Sequence, residues 1–194
     1  MATVLPNIRT PMKHRLTVDE YYRMGEAGIL KPDQRVELLD GEIYDMNAIG
    51  SLHASTVREI SLQFAKAAID GQIIASVQDP LRLDDDTEPV PDFMALLPRP
   101  DAYGDSHPQG RDVLLLVEVA HASLEHDKRK LPRYAQSGVC EVWIADIDSR
   151  SVLVYRDPQA ARYHDTDTRT EGLLHPLRLP DIPIDIHTLF GPRT

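Results

Sequence analysis

The stretch "DVLLLVEVAHAS", Asp112 to Ser123, decides how this chain is read. Val113, Leu114, Leu115, Leu116 and Val117 form an unbroken apolar run, the pattern of a strand covered on both faces. Glu118 follows, and Val119 and Ala120 carry the run past it. A carboxylate there must be paired, protonated, bound to a metal or placed at a rim open to water, because an unpaired buried charge is costly. The competing reading is a strand that simply ends on a solvated glutamate.

A chain of 194 residues can bury roughly 70% of its unfolded surface and is nearer one average domain than two. The expected organisation is a weakly ordered arm over residues 1–15 and a single domain over 16–194. Cys140 is the one cysteine, which excludes an intramolecular disulfide or a multi-cysteine zinc site and suits a reducing compartment. No apolar stretch approaches the roughly 18 residues of a membrane span, and "MATVLPNIRTPMKHR" lacks the apolar core of a secretion signal. A cytoplasmic protein with no membrane partner is expected. Lys and Arg number 21 against 31 Asp and Glu, a net charge of −10. Nucleic-acid binders usually carry a basic footprint, so this balance predicts weak DNA binding without metal. Basic residues still cluster locally, as Arg9, Lys13 and Arg15 and as Lys128, Arg129, Lys130 and Arg133.

Working outward from the central strand, Thr17 and Glu20 have capping-box spacing, predicting a short helix that stops near Gly25 or Gly28. "RVELLDGEIYDM" reads as two strands around Asp40-Gly41, a dipeptide suited to a tight hairpin turn. Val57, Ile60, Phe64 and Ala68 lie on one stripe of a helix ending at Gly71. "IIASVQ", "LRL" and "DFMALL" read as short strands, and Pro98 to Arg111 as a loop. "SLEHDKRKLPRYAQSG" reads as a helix between Ser123 and Gly138. Pro132 requires either a kink or a regular part starting close to Leu131. "EVWIAD" and "VLVYRD" are two further strands with Trp143 and Tyr155 in the core, and the tail "LRLPDIPIDIHTLF" supplies a strand and a final turn. The order predicts one α/β or α+β fold with a mixed sheet.

Three acids stand at strand positions where acids are unusual: Glu37 within "RVELL", Asp92 opening "DFMALL" after Pro91, and Glu118. If the strands of Asp92 and Glu118 are neighbours, two carboxylates meet at one end of the sheet. Their repulsion raises the proton affinity of one unless a cation intervenes. Mg2+ takes oxygen ligands and is commonly held by one or two carboxylates plus substrate phosphates, which points to metal-assisted attack of water on a phosphoester. A nearby lysine would orient water or offset developing negative charge.

Pro91-Asp92 followed by Glu118 in the next strand resembles the PD-(D/E)XK nuclease superfamily. That pattern places a lysine two residues after the second acid, where this chain has Ala120. "VEVAHASLEHDKRKLPRYAQSGVCEVWIAD" is similar to one branch, the Uma-type family of restriction-endonuclease-like proteins. Its members read E-V-x-x-x-S, then D…K-L-P-x-Y-A-x-x-G, then E-x-W-x-x-D. The likeness runs from about Leu16 to Phe190. It implies a restriction-endonuclease-like mixed central sheet flanked by helices, and it assigns the lysine role to Lys130, supplied by the following helix. Lys128 is the rival, and Lys130 shares a helix face with Tyr134. The same likeness maps Glu37 onto the family's hairpin glutamate, with Glu42 across the hairpin as the alternative, and places His53 at the start of the long helix.

The resulting expectation is a Mg2+- or Mn2+-dependent endonuclease acting on DNA. Asp92 and Glu118 would bind metal, Glu37 and Lys130 would assist, and His53 and Gln78 would stand behind them. A homodimer is expected, because cutting both strands is simplest with two copies of one site. The rival is a non-catalytic scaffold or regulatory protein that retains the fold. Plainer roles exist for each residue: Asp92 as a strand start after proline, His53 as a helix cap, "DDDTE" as a solvated loop, Cys140 as a buried thiol. His121 and His126 lack zinc-protease spacing, and no nucleophilic-serine, dinucleotide or P-loop motif is present.

Overall fold

The computed structural model describes residues 12–191, so most of the expected N-terminal arm lies outside the described residues. Helix α1 (Val18–Glu26) starts at Thr17, where both halves of the capping box form. Strands β1 (Val36–Leu39) and β2 (Glu42–Asp45) pair antiparallel with Leu39 opposite Glu42. Asp40 and Gly41 take φ of 53° and 71°, the positive values a two-residue turn between twisted strands demands. A side chain at Gly41 would also strike the backbone of Arg15 and Leu16.

Helix α2 (Ser51–Ile69) is followed by β3 (Ile74–Ser76), β4 (Phe93–Leu96) and β5 (Val113–Ala120). Helix α3 (Leu124–Gln136) leads to β6 (Glu141–Asp146), β7 (Ser151–Gln159) and β8 (Arg162–Arg169). The strands β3 to β8 form a six-stranded sheet in sequence order. Every neighbouring pair is antiparallel except β5–β6, which is parallel. Only that pair needs a crossover, and α3 is the crossover. The short pair β9 (Leu173–Leu174) and β10 (Ile184–Asp185) and helix α4 (Ile186–Leu189) close the described chain.

Two apolar layers cover the sheet. On one face Val57, Ile60 and Phe64 of α2 pack on Phe93, Leu115, Val117, Val119 and Trp143, with Ile186 and Leu189 of α4 alongside. Phe64 stacks on Phe93 at 5.0 Å between ring centroids, and burying a side chain of that size contributes about 1.5–3 kcal/mol. On the other face Tyr134 of α3 packs with Met94, Leu96, Leu116 and Val142. The mixed sheet flanked by helices is the expected fold class.

Helix α3 forms between Ser123 and Gly138 as expected and runs through Pro132, the first of the two alternatives for that proline. Three local readings are corrected. "LRL" is not a strand; Arg82 makes one isolated bridge to Gln109. Strand β8 was not anticipated, because its residues are almost all exposed and polar, so the edge of the sheet carries no apolar alternation. Tyr155 and Cys140 are only partly buried, whereas Trp143 is in the core.

Candidate active site

Phe93 of β4 lies opposite Val117 of β5, and one step further along that register brings Asp92 level with Glu118. The Asp92 N–H donates to Glu118 Oε2 at 3.4 Å, and the Val119 N–H donates to Asp92 Oδ2 at 2.9 Å. Side chains alternate along a strand. Leu115, Val117 and Val119 serve the layer under α2, so Glu118, like Leu116, is turned toward α3. The carboxylate is 2% exposed, which removes the reading of a solvated strand end.

Helix α3 meets it with residues at helical spacing. Tyr134 OH donates to Glu118 Oε1 at 2.6 Å, and Lys130 Nζ donates to the same oxygen at 3.2 Å. Lys130 Nζ also lies 3.1 Å from Glu37 Oε2 and 3.8 Å from Asp127 Oδ1. Glu37 comes from β1, and His126 of α3 stands 2.8 Å from its Oε1. Asp92 is held from the other side: Gln78 Nε2 donates to Oδ1 at 3.0 Å, and His53 Nε2 lies 3.1 Å from Oδ2. Gln78 has φ of 56°, a left-handed backbone that non-glycine residues seldom adopt. His53 Nδ1 is buried without a hydrogen-bond partner.

The structure therefore brings together Asp92, Glu118, Lys130 and Glu37, with His53 and Gln78 on Asp92. Both rivals stand outside: Glu42 pairs with Lys13, and Lys128 with Glu125 at 3.1 Å. His121 sits near Asp148 instead, 3.6 Å away.

Three carboxylates, Glu37, Glu118 and Asp127, surround the Lys130 ammonium, and Asp92 stands beside Glu118. Burial pushes the Glu118 carboxyl up to about 8, Asp127 and Asp92 add to that rise, and Lys130 and Tyr134 offset part of it. Burial opposes the charge on Lys130, but Glu118, Glu37 and Asp127 outweigh it and hold the ammonium above its ordinary range. Glu37 is shifted down: burial works against its charge, and the His126 hydrogen bond and Lys130 prevail. Asp127 is shifted up by burial. These groups open into a cleft of about 490 Å3 between the β1–β2 hairpin, residues 46–50, the start of α2 and the turn into α3.

Tyr44, His126 and Asp127 line this cleft and were not read as site residues. A signal for each existed. The Asp40-Gly41 turn sets Tyr44 opposite Glu37, and His126 and Asp127 precede Lys130 at four- and three-residue helical spacing. Among the described residues, no group of three or more His, Cys, Asp or Glu side chains is arranged to hold a metal ion.

Residues 18–187 match the family model of Uma2, described as "Putative restriction endonuclease". The chain belongs to the Uma2 family. A solved structure from Anabaena variabilis, described as "a putative nuclease belonging to DUF820", covers 90% of this chain and 97% of its own length, with a TM-score of 0.71 and 18% identity. At that identity the likeness carries the fold alone. No protein of curated function matches the chain. The Uma2 match takes in the β1–β2 hairpin, both large helices and the segments that bear Asp92 and Glu118, and falls within the span, about Leu16 to Phe190, of the resemblance read from the sequence. No helix among the described residues is long and apolar enough to cross a membrane.

Proposed function

We propose that this chain is a divalent-metal-dependent nuclease that hydrolyses DNA phosphodiesters. The observation that carries the reading is the meeting of Asp92 and Glu118 at the ends of adjacent antiparallel strands, with Lys130 3.2 Å from Glu118. The donor set supports a hard cation. Both acids offer oxygen, Glu118 Oε2 carries a single long contact, and the cluster holds more carboxylates than one lysine can neutralise. Mg2+ and Mn2+ need no complete protein cage, because water and substrate phosphate complete the shell. A bound cation there supplies Lewis-acid polarisation of the phosphoryl oxygen and lowers the pKa of a bound water.

The chain's own residues do the rest. The Val119 N–H, Gln78 and His53 fix both oxygens of Asp92. Tyr134 and Lys130 fix one oxygen of Glu118 and leave the other toward Asp92. Lys130 places positive charge where an attacking water or a developing phosphorane needs it, and Glu37 with His126 holds that ammonium in the cleft. A homodimer in the cytoplasm is part of the same proposal, because two copies of one site are the simplest way to cut both strands of DNA, each site taking one strand.

The ion-pairing of Lys130 by acids on three sides favours a second reading, a scaffold whose acids and lysine serve only one another. Calorimetric titration of Mn2+ into chelator-treated wild type and Asp92→Ala separates the two. Binding by wild type and not by the mutant, with DNA cleavage reduced by about 10²–10³-fold in Lys130→Ala, is the expected result. No binding by wild type at millimolar Mn2+, with DNA present to complete the shell, moves the scaffold ahead.

A further inference from the structure

We propose that the cleft takes one unpaired nucleotide of a single DNA strand, with the rings of Tyr44 and His126 as the wall on which its base stacks. The proposal rests on the nuclease reading for the phosphodiester chemistry and adds the form of the ligand.

The two rings are placed by different elements and converge. Tyr44 lies directly opposite Glu37 in the β1–β2 pair, and directly opposed residues project from the same face. Tyr44 therefore stands over the same cleft as Glu37. Its ring centroid is 5.5 Å from that of His126, with the planes tilted by 55°. Neither ring is loose: Tyr44 OH donates to Glu42 Oε2 at 3.2 Å, and His126 is fixed by Glu37 at 2.8 Å. Both remain partly exposed and line the cleft. Met46 and Ile49 add apolar lining to the same cleft, and Ile49 is 42% exposed.

Size and charge select the ligand. A cleft of about 490 Å3 is in the range of roughly 300–1,000 Å3 that encloses a small molecule, and one nucleotide is such an object. A duplex is gripped by cations that replace its condensed counterions. Among the described residues, the Lys and Arg side chains lining the cleft are Arg35 and Lys130. Arg35 donates to the Asn47 carbonyl at 3.3 Å, and Lys130 is enclosed by three carboxylates. The rim adds Asp45 and Glu125. A duplex brings two phosphate strands to this acidic border, whereas one strand brings half the charge density and exposes the faces of its bases. Stacking on aromatic rings holds single strands without sequence preference.

The test is fluorescence anisotropy with end-labelled oligothymidylate, alone and annealed to oligoadenylate, in Mg2+ at fixed salt. The single strand is expected to bind at least about tenfold tighter than the duplex. Tyr44→Ala is expected to weaken single-strand binding about tenfold, as loss of one stacked base does, with Tyr44→Phe close to wild type and both variants melting as folded proteins. Equal or tighter binding of the duplex overturns the proposal, and so does a folded Tyr44→Ala with wild-type affinity. Hydrolysis of bis(4-nitrophenyl) phosphate with Mn2+ reads the parent chemistry without any strand to distinguish. Its absence overturns the nuclease reading while the binding comparison still decides this one.

Discussion

Glu118 and Glu141 sit on adjacent strands of one sheet, both shielded from water, and their surroundings differ in one respect. Glu141 has a complete set of partners. Trp143 Nε1 and Arg156 Nε each donate to its Oε1 at 2.8 Å, and the Leu177 N–H donates to Oε2 at 2.6 Å. Arg156 faces it directly across the β6–β7 register, so one carboxylate meets one guanidinium. Glu118 shares its single ammonium with Glu37 and Asp127 and has Asp92 beside it. Folding satisfies the first carboxylate outright and leaves surplus negative charge around the second. A buried acid that anchors structure is balanced by its neighbours, whereas one that is crowded by other acids has a use for a cation that the fold does not supply.

Glu141→Ala gives the largest expected loss of stability. It leaves the Trp143 N–H and the Leu177 N–H without their acceptor and Arg156 with only the His175 carbonyl, and breaking this partly buried pair costs about 3 kcal/mol, the low end for buried pairs. For a chain of this size that is a fall of roughly 10 °C in Tm, measured by calorimetry, with Mn2+ affinity unchanged. A parallel fall in Mn2+ affinity would erase the distinction between the two carboxylates. Glu118→Gln is expected to do the reverse. The amide oxygen can still accept from Tyr134 and Lys130, and the repulsion from Asp92 and Asp127 is gone, so Tm stays level or rises. Mn2+ affinity drops about a hundredfold, or about 2.7 kcal/mol, in a calorimetric titration. A loss of Tm as large as that of Glu141→Ala would place Glu118 among the structural anchors.

That contrast was only half legible in the sequence. An acid inside an apolar run flags Glu118, and a proline-led acid in the next strand flags Asp92, because burial makes a charge conspicuous against its neighbours. Lys130 needed more: its role depends on which face of α3 meets β5, which the family likeness and the Tyr134 spacing supplied. Glu141 passed unremarked at the head of "EVWIAD", since its partners Arg156 and Leu177 lie on other segments. Glu88 was misjudged for the same reason. It closes the acidic run "DDDTE", read as a solvated loop, yet it is 2% exposed under Tyr22, whose OH donates to it at 2.7 Å. Composition shows the charge of a segment, and only the tertiary contacts show which charge is covered. Strand β8 escaped because an edge strand with polar residues on both faces has no period to detect.

Glu37 stands between the two cases, and a smaller effect sharpens where it belongs. It is buried like Glu141 and has its own partners in His126, Lys130 and the Val90 N–H. Those partners hold its carboxyl below the ordinary value of 4.5 despite burial. A carboxyl whose folded pKa is depressed stabilises the fold fully above its unfolded value and loses that contribution as pH falls through the folded one. Glu37→Gln is therefore expected to be less stable than wild type at neutral pH by about 1–3 kcal/mol, the scale of hydrogen bonds to a charged group. The gap should close as the pH drops below about 4.5. Urea unfolding of both proteins across pH 3.5–7 measures it. A gap that stays constant with pH would mean that the shape of Glu37, and not its charge, supports Lys130. The ammonium would then be held in the cleft by Glu118 and Asp127, and the crowding that separates Glu118 from Glu141 would be sharper still.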